Sequence, residues 1–254
     1  MTQASESLSL NCDLDYFLKD GEMPYDIDLV ALFDYVNISA GFHRGNPESI
    51  AQGIKLAKQH QIGVGGLISY YDLISQGQRS IPHSHEQLVH HISYQIGALQ
   101  HMAQYQDYEI SYIKPHGALF RDMMSDLNVF ESVVQAVAAT DRPLVILARH
   151  DNSPYLDIAD EYNVPLLLEA YCDRIYKYDG KLVSREHKHG QHPQMDDIFY
   201  QAMQLANFGT VTTDKGQTLA LAADTLSMQI RSPQHLSQAV KIAKTLAQTK
   251  DAKI

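Results

Sequence analysis

Cysteine is scarce in this chain: Cys12 and Cys172 are its only two, and they form no C-x-x-C pair. That argues against a zinc ribbon and a disulfide framework and points to a reducing compartment. Long hydrophobic runs are also missing, and no apolar stretch approaches the length needed to cross a bilayer. The opening stretch MTQASESLSL has neither a basic region nor a long apolar one, so no secretory signal and a cytoplasmic location are expected. Positive charge is under-represented, with 20 Lys and Arg against 30 Asp and Glu, a formal net charge of −10. Such a balance repels nucleic-acid backbones and anionic membranes, so neither is expected as a partner. No G-x-G-x-x-G follows the first strand, and neither G-x-x-x-x-G-K-[ST] nor G-x-S-x-G occurs. Dinucleotide, P-loop and nucleophile-elbow chemistries therefore find no support.

What is present is a soluble globular composition, 44% hydrophobic and 20% charged over 254 residues, enough for one large α/β domain or two small ones. The stretch Val36–Pro47, VNISAGFHRGNP, reads as a buried strand ending in a glycine-flanked loop that carries His43. Asn46 and Pro47 then open a helix as cap and first residue.

Strands are expected at Ser7–Leu14, Tyr35–Ile38, Ile62–Gly66, up to Lys114, Pro143–Ala148, Pro165–Glu169 and Leu221–Leu226. Helices are expected from Asp26 to Phe33, Asn46 to His60, Ser84 to Tyr105, Asp126 to Ala139, Pro154 to Tyr162, Gln194 to Asn207 and Pro233 to Gln248. Asp15–Pro24 is polar and turn-rich, Leu67–Pro82 reads as a loop, and Cys172–His192 as a long aperiodic one. A hairpin is expected around Asp214-Lys215-Gly216. This β-α alternation runs through residues 1–254 without a break in composition, which predicts a single α/β domain, either a closed barrel or an open doubly wound sheet. In both, function belongs at the carboxyl ends of the strands.

The polar residues at those ends are Asn11 and Asp13, His43, Lys114 and His116, and Glu169 with Asp173 and Arg174. An Asp and two His brought together make either an acid/base cluster or a metal site. Taken singly, each has a bland reading as a helix cap or a satisfied packing residue. The Arg174 guanidinium suits an anionic substrate, since it forks onto a carboxylate, although Asp173 beside it offers a structural ion pair instead. Most of the thirteen histidines, such as His83, His85, His90, His91, His187, His189 and His192, fall in polar stretches expected at the surface.

Several stretches, in order over nearly the whole chain, resemble the LamB/YcsF family. They are Asn11-Cys12-Asp13-Leu14, Asn37-Ile38 with Gly41-Phe42-His43 and Gly45, Ser69-Tyr70 with Asp72, and Tyr94-Gln95-Ile96-Gly97-Ala98-Leu99. Further on are Lys114-Pro115-His116-Gly117-Ala118-Leu119, Glu169 with Asp173-Arg174 and Tyr176, and Ala223-Asp224-Thr225. The resemblance implies a (β/α) barrel-like fold of about seven strands, related to sugar and polysaccharide deacetylases. It also implies the activity of the A component of bacterial 5-oxoprolinase, the ATP-dependent opening of 5-oxoproline to glutamate with partner subunits B and C.

On that reading Asp13, His43 and His116 lie near the reacting centre, and Asn11, Asn37, Lys114, Asp173 and Arg174 bind substrate, Arg174 through its carboxylate. ATP serves the assembled complex, with no cofactor held directly by this chain. A divalent metal on an Asp and two His is the deacetylase-like alternative. The sequence departs from the family pattern at three strand ends: Tyr16 stands where a Glu is usual, Leu67 where a His is usual, and Gln229-Ile230-Arg231 where His-Gly-Asp is usual. These losses of ionisable groups allow a second reading, a paralogue that binds a small carboxylate or regulates without turnover.

Overall fold

Successive side chains leave a strand on opposite faces, so a strand that closes into a barrel sends one set inward and the other toward the surrounding helices. The computed structural model describes residues 8–14, 27–185, 187 and 190–251. Its first six strands run parallel: β1 (Ser9–Asp13), β2 (Tyr35–Ser39), β3 (Gly63–Ile68), β4 (Ile110–Pro115), β5 (Leu144–Leu147) and β6 (Leu166–Tyr171). A separate antiparallel hairpin follows, β7 (Thr210–Thr212) with β8 (Thr218–Ala220). Then β9 (Thr225–Ser227) pairs with both β6 and β1 and closes a seven-stranded parallel barrel. That double pairing settles the choice between open sheet and barrel.

Helices α1 (Pro47–His60), α2 (His85–Tyr105), α3 (Gly117–Met123), α4 (Leu127–Val137), α5 (Ser153–Glu161), α6 (Met195–Phe208) and α7 (Pro233–Asp251) surround it. Cys12, Val36, Ile38, Ile113, Ala170 and Leu226, on the outward strand faces, join the helices' apolar stripes in one core. Local signals place the helix starts well. Asn46 and Ser49 form a reciprocal capping box with Pro47 in the first turn of α1, and Ser84 and Gln87 do the same for α2. Asp126 caps α4 by accepting from the Asn128 N–H.

Three expectations are corrected. The last barrel strand is Thr225–Ser227 and not Leu221–Leu226: its paired residues begin at Thr225, and Asp224 just before it is held to Leu168 twice, its N–H donating to the Leu168 carbonyl and its carboxylate accepting from the Leu168 N–H, each at 2.8 Å. The stretch after His116 is helical as α3, where the sequence reading had no helix until Asp126; Gly117 at its start, with φ +60°, hides the propensity signal. Leu67 and Ile68 complete β3 and are not part of the following loop. Tyr16, within the turn-rich Asp15–Pro24 stretch, and His189 lie outside the described residues.

One glycine on β3 is dictated by the barrel interior. A Cβ on Gly65 would sit 2.3 Å from Asn37 Oδ1 and 2.3 Å from Tyr112 Cε2. The Gly65→Ala variant is therefore expected to lose about 1–3 kcal/mol of stability by overpacking. Gly97→Ala, in the middle of α2 with nothing within 4 Å of the new methyl, should instead gain about 0.5–1 kcal/mol. Urea titration of the two variants beside the parent checks this opposite pair of signs.

Candidate active site

The inward faces of five strands carry polar residues two positions apart: Asn11 and Asp13, Asn37 and Ser39, Tyr112 and Lys114, Glu169 and Tyr171, Thr225 and Ser227. All ten are buried. Buried polar groups must find partners inside the protein, and these find one another across the barrel. Lys114 Nζ donates to Glu169 Oε1 at 2.7 Å, Asn11 Oδ1 at 2.9 Å and Ser227 Oγ at 3.1 Å, which uses all three of its N–H bonds. Asp13 Oδ1 lies 3.8 Å away. Lysine only donates, so the Asn11 carbonyl must face it, which turns the Asn11 amide nitrogen to Glu169 at 3.0 Å and Thr225 at 2.9 Å. Asn37 then donates to Asn11 Oδ1 and to Asp13 Oδ1, at 2.9 and 3.0 Å, and accepts from the Tyr112 hydroxyl at 2.7 Å.

These contacts set the charge states. Burial alone would lower the Lys114 pKa, but Glu169 and Asp13 overcome it and hold the ammonium above its ordinary value. Burial would likewise raise Asp13, yet Lys114, His116, the Asn37 hydrogen bond and Arg185 bring it below the usual carboxylate value. Asp13 is thus an anion and Lys114 a cation at neutral pH. Burial, then Glu169 and Asp13, push the Tyr112 phenol up, so it stays a neutral donor.

Above this layer the loops after β2 and β4 bring two imidazoles together. His43 and His116 stack with centroids 4.2 Å apart and planes 8° from parallel. His43 is buried, with Nδ1 2.7 Å from Ser69 Oγ and Nε2 3.0 Å from Ser39 Oγ. Ser69 is itself fixed from α2, where the buried Gln95 amide bonds both its N–H and its carbonyl. Gly117 and Gly77 fit against each other beside His116, where the Ala118 N–H donates to the Gly77 carbonyl at 2.8 Å. Burial, opposed by Asp13 and aided by Arg185 and Lys114, pulls His116 down to about 4. Burial and the neighbouring His116 hold His43 well below its ordinary value. Both rings are neutral at pH 7.

The strand-end residues therefore divide. Asn11, Asp13, Asn37 and Lys114 form one network, and His43 and His116 stack above it. Asp173 and Arg174 stand apart in the loop after β6. Arg174 is buried and gives Nε to the Gly190 carbonyl at 3.1 Å and Nη2 to the Val183 carbonyl at 2.6 Å, so these donors tie down its own loop. Asp173 makes no ion pair with it among the described residues. Cys12 and Cys172 are buried thiols pushed well up, first by burial and then by a neighbouring Asp, which leaves them un-ionised. No three His, Cys, Asp or Glu side chains among the described residues are placed to hold a metal ion. The described residues do not make up the deacetylase-like metal set of an Asp and two His. Leu67 is buried at the end of β3, in register with Ser39 and Lys114.

Sequence reasoning gave no role to Tyr112, Thr225, Ser227 or Arg185. The first three carry a readable signal, polar residues at i and i+2 in otherwise apolar strands. A separate cleft of about 450 Å³, lined by Ala51, Lys55, Met102 and Tyr105, lies outside the barrel between α1 and α2.

The LamB/YcsF family pattern matches residues 8–253. The chain belongs to the LamB/YcsF family. A relative from Vibrio vulnificus, named as the A component of 5-oxoprolinase, is 39% identical over 95% of this chain and 98% of its own. The protein of that name from Vibrio cholerae is 37% identical over 96% of this chain and 99% of its own. The crystal structure of a lactam utilization protein from Thermus thermophilus superposes with a TM-score of 0.85 at 27% identity, covering 95% of this chain and 98% of that one. This LamB/YcsF barrel thus keeps its family's fold over its full described length.

Removing Lys114 strands two buried carboxylates. Lys114→Met should lose about 3–5 kcal/mol, read by chemical denaturation. The imidazoles predict a pH effect of definite sign. The unfolded chain takes up protons near pH 6.5 while folded His116 waits until about 4, so stability falls as pH drops through that window. His116→Asn should flatten part of that fall in thermal melts run between pH 7 and 4.

Proposed function

We propose that this protein opens the C–N bond of a small cyclic amide of the 5-oxoproline type, giving L-glutamate. It does so as the A component of an assembly in which ATP and B- and C-like partner subunits activate the lactam. The observation that carries the reading is that the carboxyl end of the barrel holds an anionic Asp13 close enough to the neutral His116 ring for its charge to act on it, beside the fixed cation of Lys114. Full-length relatives at 37 to 39% identity, named as the A component of 5-oxoprolinase, and a solved relative named for lactam utilization support it.

Lactam opening adds water to a carbonyl carbon, breaks the C–N bond and delivers protons to the departing nitrogen. His116 is the half-buried member of the imidazole pair, and its neutral ring takes a proton from the attacking water. The C–O bond forms, and the Asp13 carboxylate stabilises the imidazolium, consistent with its upward pull on the His116 pKa. The imidazolium returns that proton to nitrogen as the C–N bond breaks, and the proton left on the new carboxylic acid passes to the amine. Lys114, with its three N–H bonds occupied, acts through its field on the developing oxyanion.

Leu67 and Gln229, standing where the family carries His, favour a second reading, a carboxylate-binding relative without turnover. One assay separates the two: purified protein, the B and C subunits of a relative, ATP and 5-oxoproline, with glutamate measured. Glutamate formation that drops about 10²–10⁴-fold in His116→Asn, at unchanged 5-oxoproline KM, is the expected result. Tight calorimetric binding with no glutamate formed would establish the second reading instead.

A further inference from the structure

The deep network leaves one question open: which group meets the ligand's charge. Arg174 has turned Nε and Nη2 to its own loop. At the barrel mouth, the loop after β6 and the segment after β9 bring two other arginines onto one neutral atom. Arg185 Nη1 and Arg231 Nη2 both donate to Gln229 Oε1. Arg231 is further fixed by Nη1 to Gln191 Oε1 at 3.1 Å. Arg185 is half-buried and makes no ion pair among the described residues. It lies close enough for its charge to act on Asp13, His116, Tyr171 and Arg174.

Two guanidinium groups sharing a neutral acceptor repel each other, and the buried Arg174 nearby adds to that repulsion. In a chain of net charge −10 this is a local concentration of the opposite sign, at the edge of the anionic Asp13. An oxyanion arriving there relieves the repulsion and meets a planar donor fork.

We infer that Arg185, braced by Gln229 and Arg231, is the anchor for the ligand's carboxylate at the mouth of the barrel. The inference rests on the proposed function for the identity of the ligand, a cyclic amide that carries a carboxylate. The carboxylate end is held on the rim while the amide end reaches down toward His116 and Asp13. Gln229 thereby gains a role at a position where the family usually has His: its carbonyl oxygen, itself neutral, aligns the two forks.

The test compares the parent with Arg185→Gln and Gln229→Glu. Each is titrated by calorimetry with 5-oxoproline, L-glutamate, 2-pyrrolidinone (the same ring without the carboxylate) and inorganic phosphate. KM and kcat for 5-oxoproline are measured in the assembled complex. Arg185→Gln should weaken 5-oxoproline binding, or raise its KM, about 10–150-fold, the loss of one charge-assisted hydrogen-bonded contact. Its 2-pyrrolidinone affinity and kcat should stay within about threefold of the parent, a margin under 1 kcal/mol.

Gln229→Glu places a carboxylate inside the clamp, so it should raise the melting temperature while weakening 5-oxoproline. A merely structural role for the arginines would not produce that opposite pair. Three results overturn the inference: equal weakening of 5-oxoproline and 2-pyrrolidinone, an Arg185 dependence confined to phosphate, or a parent that neither turns over nor binds any of the carboxylates. If the parent shows no turnover but its carboxylate binding depends on Arg185, the proposed function fails and the anchor stands. Turnover insensitive to Arg185→Gln does the reverse.

Discussion

Lys114 carries its charge into a barrel interior from which water is excluded, and the surrounding polar residues are arranged to make that tolerable. Taking an ammonium and two carboxylates out of water carries a penalty of several kcal/mol per ion. It is offset here by a 2.7 Å contact with Glu169, by the nearby Asp13, and by neutral acceptors on Asn11 and Ser227 that complete the ammonium's shell. From that point the constraints propagate. Lys114 orients the Asn11 amide, Asn11 orients Asn37, Asn37 positions Asp13 and receives Tyr112, and Tyr112 requires a glycine at position 65. A change at any one of these leaves a buried polar group without its partner, which is the expensive event in such a network.

The site has two levels with different physical characters. The lower one is densely hydrogen-bonded, with Oε2 of Glu169 left without a partner among the described residues, and it fixes an anion at Asp13 and a cation at Lys114. The upper one holds two neutral imidazoles whose nitrogens face serine hydroxyls, glutamine and backbone carbonyl, the half-buried His116 among them. Arg185 lies close enough for its charge to act on both Asp13 and His116. Fixed charge below and a neutral proton carrier above is a division suited to moving protons over a held substrate, because the electrostatics need little reorganisation during the reaction.

Much of this was legible in the sequence. Asn46-Pro47 and Ser84-x-x-Gln87 announced α1 and α2 through their caps, and the β-α alternation announced an α/β fold whose closure into a barrel only the family resemblance implied. Polar residues at strand ends singled out Asn11, Asp13, His43, Lys114 and His116. What stayed hidden depends on contacts distant in sequence. Nothing local says that Lys114 meets Glu169 rather than Asp173, or that Gly65 is small because Tyr112 and Asn37 meet across it. Arg174 and Arg185 lie in one aperiodic stretch, and only the fold shows that one ties down its own loop while the other reaches Gln229 after β9. The last strand was started too early because Leu221, Ala222 and Ala223 read as apolar, whereas bonding to the neighbouring strands begins only at Asp224.

The central claim, that the Lys114–Glu169 pair organises the barrel interior, is tested most directly by a double-mutant cycle. Stability is measured by denaturation for the parent, Lys114→Met, Glu169→Gln and the double variant. A coupling energy of roughly 1.5 kcal/mol or more, with the double variant less destabilised than the sum of the singles, is the predicted result. Additivity within about 0.5 kcal/mol would contradict it, since residues that do not interact add within that margin.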